Sequence, residues 1–395
     1  MIAAMADPSG LRAVVEHLAP LQRLPASPGE REAAEIIRDW LDERGCTAVV
    51  EEVPAYHSYA APIGLMSALS AASAVAAGRG HRAVGVLGGA LAALGIADDI
   101  TGTRMLFRRL ALQPGMGTNV IAEAGDPSAR RTLVVLAHHD AAPSGLVFDQ
   151  GASRWLATRY PHVVERMKSN PPLWWPVLAG PALVSLGSLL GSRALRRAGL
   201  VGSLVAVATM VDIGTRPAVP GANDNLSGVA VLVAVAEALQ ARPLPGLRVQ
   251  LVSAGAEEAL QEGIRAYAAR YFPRLPRDET YFVNVDTVGS GRLVLLEGEG
   301  PMRMHDYEPA FKDLVSGCAS DEGIPLLRGL RSHNSTDSAV PRRAGFPVAT
   351  IVSVDGQKLI PNYHLDSDTP DKVDYECVAM AARLVESVAR KLATT

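Results

Sequence analysis

Pro220-Gly221-Ala222-Asn223-Asp224-Asn225-Leu226-Ser227-Gly228 sets one carboxylate in a glycine- and asparagine-rich turn directly before a long apolar helix, Ser227 to Ala241. Taken alone, Asp224 reads first as a cap for that helix. Its surroundings change the weight. Downstream, apolar runs alternate between two periods: strand Leu247 to Ser253, helix Ala259 to Arg270, strands Thr280 to Val285 and Arg292 to Glu297, helix Tyr307 to Glu322, strand Val348 to Val352 and helix Asp374 to Leu392. Strands alternating with helices predict an α/β fold, with a mostly parallel central sheet covered by helices on both faces.

Upstream of the turn the same alternation is interrupted twice. Leu11 to Leu24 reads as an amphipathic helix. Ser27-Pro28-Gly29-Glu30 opens a second with a capping box and proline in the first turn, and Gly45 ends it. Strands follow at Thr47 to Val53, Gly117 to Ala122 and Arg131 to Ala137. Between them lie four apolar segments, Ile63 to Ala77, Ala83 to Ala97, Leu173 to Gly191 and Gly199 to Ile213, paired by the basic turns Gly78 to Arg82 and Ser192 to Arg197. A mixed helix is expected over Arg154 to Met167. The chain is therefore read as one catalytic α/β domain over 1–395, carrying an apolar helical hairpin at 58–110 and a helix plus a second hairpin at 144–216.

Composition narrows the partners. The 395 residues carry 38 basic and 41 acidic side chains, net −3, so nothing favours nucleic acid. The three cysteines are an odd number at wide spacing, which argues against a disulfide framework. Met1 to Pro8 has no basic region and no apolar core of signal length, so a cleavable signal peptide is not expected and the location is read as cytoplasmic or membrane-associated. The apolar segments, 63–97 and 173–213, are expected to serve a membrane or self-association. Most are about 15 residues, short of the roughly 20 of a spanning helix, yet they are almost free of charge, and Gly85/Gly89 and Gly187/Gly191 have the spacing of close helix pairs. Both interruptions flank the strand before His138, so the hairpins are expected to overhang the site and restrict entry to short peptides.

The chemistry rests on residues placed where open α/β sheets put their ligands, beyond the carboxyl ends of strands. His138 follows the strand ending at Leu136, Glu257-Glu258 follow the one ending at Ser253, Asp286 closes the one ending at Val285, and Asp224 and His364 lie in loops. Each has a plainer reading: a helix cap, a solvated helix start, a surface histidine pair, a strand end. One metal site explains them jointly, since two imidazoles and three carboxylates suit borderline divalent ions such as zinc.

In this order and context the motifs resemble the co-catalytic di-zinc aminopeptidase family, whose relatives include bacterial aminopeptidases, glutamate carboxypeptidase, glutaminyl cyclase and the transferrin-receptor ectodomain. The resemblance covers most of 10–55, 117–143 and 217–392. It implies two divalent metal ions, zinc foremost, held by His138, Asp224 and Asp286 and by Asp224, Glu258 and His364, with Asp224 bridging. It implies Asp140 as the residue orienting His138, Glu257 as general base, and Tyr363 as donor to the oxyanion. The chain departs from the family pattern at Ala259-Leu260-Gln261-Glu262-Gly263-Ile264 and at Thr336-Asp337-Ser338, positions that touch pocket shape rather than ligands. The expected activity is hydrolysis of the amino-terminal bond of peptides or dipeptides. The alternatives are another amide hydrolase or a glutaminyl-cyclase-like acyltransferase on the same scaffold, and a non-catalytic receptor-like or scaffolding domain.

Overall fold

The computed structural model describes residues 7–394, so most of the reading of Met1 to Pro8 lies outside the described residues. Helices α1 (Pro8–Leu18) and α2 (Pro28–Glu43) precede strand β1 (Thr47–Ala55). Next come α3 (Ala60–Gly78), α4 (Arg82–Thr101) and the short α5 (Leu106–Ala111), followed by β2 (Gly115–Gly125) and β3 (Thr132–His138). The second interruption holds α6 (Gly151–Arg159), α7 (Pro161–Arg166), α8 (Trp175–Leu189) and α9 (Arg193–Gly214). The remainder runs α10 (Ser227–Ala241), β4 (Arg248–Ala254), α11 (Glu262–Tyr271), β5 (Thr280–Val285), β6 (Arg292–Leu295), the small hairpin β7 (Gly298–Glu299) and β8 (His305–Asp306), α12 (Pro309–Asp321), β9 (Leu326–Leu327), α13 (Ala339–Arg343), β10 (Val348–Val354) and α14 (Tyr375–Thr394).

Eight strands form one sheet in the order β1-β2-β4-β3-β5-β10-β6-β9. The central neighbours β4, β3, β5 and β10 are parallel, while β1, β2 and β6 pair antiparallel toward the edges. The two-residue period of a strand sorts β3 between the faces. Leu133 and Val135 pack with α1, α2, α10 and α14, whereas Val134 and Leu136 pack with Ile264 and Tyr267 of α11 and with Phe282 and Phe346. All residues of β3 are buried, as a parallel strand covered on both sides must be.

Three local expectations change. The first helix stops at Leu18, because Ala19 precedes a proline and Arg23 turns inward to donate to the carbonyls of His139 and Pro220. The helix expected over Arg154 to Met167 is two helices broken at Tyr160-Pro161. The helix expected from Ala259 begins at Glu262, since Leu260 and Gln261 take left-handed backbone conformations that end the turn Glu257–Ala259.

The four apolar segments are all helical, and α3, α4, α8 and α9 pack into one bundle instead of two separate hairpins. Close approach requires glycine here. A Cβ on Gly89 would lie 2.7 Å from the Ser185 nitrogen, and one on Gly180 would lie 2.7 Å from that of Ser203. The bundle is tied to the sheet through Arg108 of α5, which is wholly buried. It forms a two-pronged ion pair with Asp99 at 2.8 and 2.7 Å, reaches Glu262 at 3.3 Å, and donates to the Ala259 carbonyl at 2.6 Å. The base of α4 is thereby bonded to the segment just after Glu257-Glu258.

Candidate metal centre

Asp224 does not cap α10. In its place Asn225 Oδ1 accepts from Gly228 N and Thr287 N at 3.1 and 3.0 Å, while its Nδ2 donates to the Val285 carbonyl at 2.9 Å. Asn223 Oδ1 accepts from Gly289 N at 2.7 Å, and Ser227 Oγ accepts from Val288 N at 3.0 Å. The polar residues around Asp224 thus stitch the turn to the loop after β5. Asp368 completes the hold by accepting from the backbone of Asn223 and Asp224 at 2.9 and 3.0 Å. Every neighbour is occupied with backbone, which leaves the Asp224 carboxylate free to face the cluster.

That carboxylate spans two imidazoles. Oδ1 lies 3.3 Å from His138 Nε2, and Oδ2 lies 3.3 Å from His364 Nε2, which is also 3.2 Å from Glu258 Oε1. Ligand atoms of His138, Asp224 and Asp286 lie within 4.8 Å of one another, and those of Asp224, Glu258 and His364 do likewise. Glu257 joins His138 and Glu258 in a third such group, so separation alone does not set it apart from the ligands. Its Oε1, however, is occupied by a 3.0 Å hydrogen bond from Gln261 Nε2.

Asp140 organises two of these elements at once. One oxygen accepts from Glu257 N and the other from Glu258 N, both at 3.0 Å, and Oδ1 lies 3.5 Å from His138 Nδ1. His139 is buried on the other side of the strand, where its Nδ1 meets Ser253 Oγ at 3.0 Å, and burial lowers its pKa to about 4. It takes no part in the cluster. Tyr363 stacks on His364 with ring centroids 3.9 Å apart, and Phe148 meets the same imidazole edge-on at 4.5 Å.

The electrostatics call for cations. Burial pushes the Asp286 carboxyl up to about 7, opposed by His138 and reinforced by Asp224; burial likewise pushes Glu257 well up and raises Glu258. Burial opposes charge on His138 too, but bonds to Asp140 and Asp224 hold its pKa well above the ordinary value. Asp224 Oδ2 and His364 Nε2 approach without the alignment of a hydrogen bond, and among the described residues neither has a hydrogen-bond partner. Buried, mutually repelling carboxylates with unpaired ligand atoms aimed at each other fit divalent cations, whose charge reverses the local penalty.

Several participants escaped the sequence reading. Gln261 holds the Glu257 carboxylate, and Asp368 and the buried Arg23 brace the Asp224 turn. Glu30, read as a capping residue, sends its carboxylate to Thr118 N at 3.1 Å; burial and Asp140 raise its pKa to about 8. Asp337 is buried with both oxygens unpaired among the described residues, and burial raises its pKa to about 7, with His138 opposing. The departure at Thr336-Asp337-Ser338 was the only signal pointing to it.

A cavity opens beside the cluster. Glu257, Glu258, Tyr363 and His364 form one wall, and the other is built by the bundle through residues such as Ile100, Trp174, Val177, Met210 and Ile213.

Residues 207–389 match the family model of Peptidase family M28. No curated protein matches the chain by sequence. Among solved structures, the aminopeptidase of Aneurinibacillus sp. strain AM-1 superposes with a TM-score of 0.55 at 16% identity, covering 97% of this chain and 93% of the other. The zinc aminopeptidase BSAP of Bacillus subtilis gives 0.55 at 13%, covering 97% and 94%. The glutaminyl cyclase of Bacteroides thetaiotaomicron gives 0.59 at 14%, covering 99% of both chains. At such identities the structures establish a shared fold. The family match over residues 207–389 supports a metal-dependent peptidase.

Proposed function

We propose that the chain is an aminopeptidase that hydrolyses the amino-terminal bond of peptides or dipeptides using two divalent metal ions, zinc foremost. The observation that carries this reading is the Asp224 carboxylate, whose two oxygens each face a different histidine at 3.3 Å. His138, Asp224 and Asp286 would hold one ion, and Asp224, Glu258 and His364 the other. Bound there, the ions supply Lewis acidity at the scissile carbonyl and an activated water.

The chain's own groups do the remaining work. Glu257, held at Oε1 by Gln261 and raised in pKa by burial, accepts the proton of the attacking water at its other oxygen and passes it to the departing amine. Tyr363 supplies a phenol donor to the developing oxyanion. Asp140 keeps the His138 ring and the Glu257-Glu258 backbone in register. The apolar wall contributed by the bundle restricts entry to short chain ends.

The test is metal content together with hydrolysis of an amino-acid anilide panel, for wild type and Glu257→Gln. The expected result is two metal equivalents in both proteins and a loss in kcat of about 100-fold or more in the variant. Normal turnover by the metal-loaded variant refutes the assignment of the base. The glutaminyl cyclase likeness, with nearly complete mutual coverage, favours a second reading as a cyclising acyltransferase. Release of ammonia from an amino-terminal glutaminyl peptide, without anilide hydrolysis, would select it.

A further inference from the structure

Four helices of this chain wear their apolar side chains on the outside. Leu65 and Leu69 of α3, Leu87, Leu91 and Leu94 of α4, Leu186 and Leu189 of α8, and Val201, Leu204 and Val205 of α9 are all exposed, Leu87 and Leu94 to 71% and 70%. The interior mixes small and apolar side chains such as Ile63, Ala92, Ile96 and Val184 with hydroxyls. Ser67, Ser70, Ser73, Ser188 and Ser203 are buried, and the hydroxyls of Ser70 and Ser203 pair at 2.9 Å. An apolar helix belonging to a protein core is covered: the segment Ala222–Ala241, which contains α10, is 89% buried across its apolar window, against 56% for Ala60–Gly78, 33% for Arg82–Thr101 and 22% for Arg193–Gly214.

Charge is confined to the two ends. Arg79 in the α3–α4 turn, Arg82 at the start of α4, and Arg193, Arg196 and Arg197 in the first turns of α9 meet at one end, where Gly78 and Gly187 sit against Arg196 and Gly191 against Arg82. Asp98, Asp99 and Asp212 lie at the other end, where Asp98 caps the backbone of Arg104 and Leu106 and Asp212 that of Leu146. From Arg82 to Asp98, and from Arg197 to Asp212, the helices rise about 22–24 Å. Arginine stems reaching outward and slight local thinning match that band to a hydrocarbon layer of about 27–30 Å. The basal end carries the exposed Trp175, an aromatic side chain of the kind expected at a membrane boundary, and the exposed Leu106 and Leu110 of α5 lie at the same end.

We propose that α3, α4, α8 and α9 form a membrane-embedded bundle, with the catalytic cavity at the bilayer surface. A second copy of the chain would cover one side, whereas exposed leucines and valines occur on all four helices and require a solvent that surrounds the bundle. The cavity wall formed by Ile100, Trp174, Met210 and Ile213 belongs to the basal end, where α4 is joined through Asp99, Arg108 and Glu262 to the segment after Glu257-Glu258. Resting on the aminopeptidase reading, the substrate class is the amino terminus of peptides held at a membrane surface.

The experiment uses the full chain and vesicles of phosphatidylcholine and phosphatidylglycerol. Wild type is expected to float with the vesicles after an alkaline wash. The triple variant Leu87→Lys, Leu94→Lys, Leu204→Lys is expected to lose at least about tenfold of the bound fraction while still cleaving a soluble anilide in detergent micelles. A Leu91→Cys protein carrying an environment-sensitive dye avoids dependence on the folding of the triple variant; its emission is expected to be quenched by lipids brominated on the acyl chain. Wild type recovered without detergent as an aqueous monomer or dimer overturns the proposal, as does a dye quenched by aqueous iodide and not by the lipids. Protein that floats but cleaves no anilide supports the embedding and counts against the aminopeptidase reading. A peptide tethered by a carboxyl-terminal acyl chain is expected to gain about tenfold in kcat/KM over its untethered form with vesicle-bound wild type, and to gain nothing with the triple variant; equal values for wild type overturn the substrate class.

Discussion

Replacing Asp140 by asparagine removes one charge and one acceptor while preserving shape. In the wild type its two oxygens each accept one backbone N–H, from Glu257 and Glu258 at 3.0 Å, and one oxygen also lies 3.5 Å from His138 Nδ1. Hydrogen bonds to a charged group contribute about 1.5–3 kcal/mol each. Asparagine keeps one acceptor and turns an NH2 group toward the other donor, so the local cost is about 2–4 kcal/mol, the lost bond plus an unmatched buried N–H. The cost falls on the proposed base, one proposed ligand and the orientation of another. Metal affinity is expected to drop about 10–100-fold, the usual effect of removing a group that orients a metal ligand. With metal at saturation, kcat/KM is expected to fall by about 30–1000-fold, the same energy expressed in the barrier. Zinc competition against a chromophoric chelator reads the first quantity and anilide hydrolysis the second, with far-UV circular dichroism to verify the fold. A variant that holds zinc within about threefold of wild type and turns over normally refutes the idea that this one carboxylate sets the register of the site.

Three further outcomes are expected. Asp224→Asn should lower metal content from two equivalents to one or none, measured by atomic emission; retention of both refutes its bridging role. Removing metal with a chelator should lower Tm and zinc should restore it, because a ligand present at about 100 times its Kd stabilises the folded state by about 2.7 kcal/mol; an unchanged Tm argues against a metal held in this buried cluster. Glu299 is buried, accepts from Thr336 N and Oγ1 at 3.0 Å, and has its pKa raised to about 8 by burial. A raised folded pKa means that this group's stabilising contribution is complete below its unfolded value and is lost as pH rises through about 8. Glu299→Gln should therefore raise Tm more at pH 8 than at pH 5; an equal effect at both contradicts a protonated Glu299.

Much of the scaffold was legible because burial imposes a period. The ranges of α10 and β5 follow directly from their apolar patterns, and β3 declares itself by a run of β-branched residues bounded by His138. At the first helix and the start of α11, side chains distant in sequence act beside the local effects of Pro20 and the left-handed Leu260 and Gln261. Arg23 reaches the carbonyls of His139 and Pro220, and Asp140 holds the backbone of Glu257 and Glu258. Local propensity contains no trace of either contact.

The sequence by itself determined the alternation of elements, the apolar character of four segments and the identities of the candidate ligands, since periodicity and donor chemistry are properties of residues along the chain. Only the tertiary structure decided that Asp224 faces two histidines rather than capping α10, because that depends on Asn223, Asn225 and Ser227 engaging the loop after β5. It alone decided that the apolar segments form one bundle that buries serines among apolar side chains and leaves leucines exposed. A hydropathy profile records how apolar a helix is; which face meets its neighbours is set by packing across the whole fold.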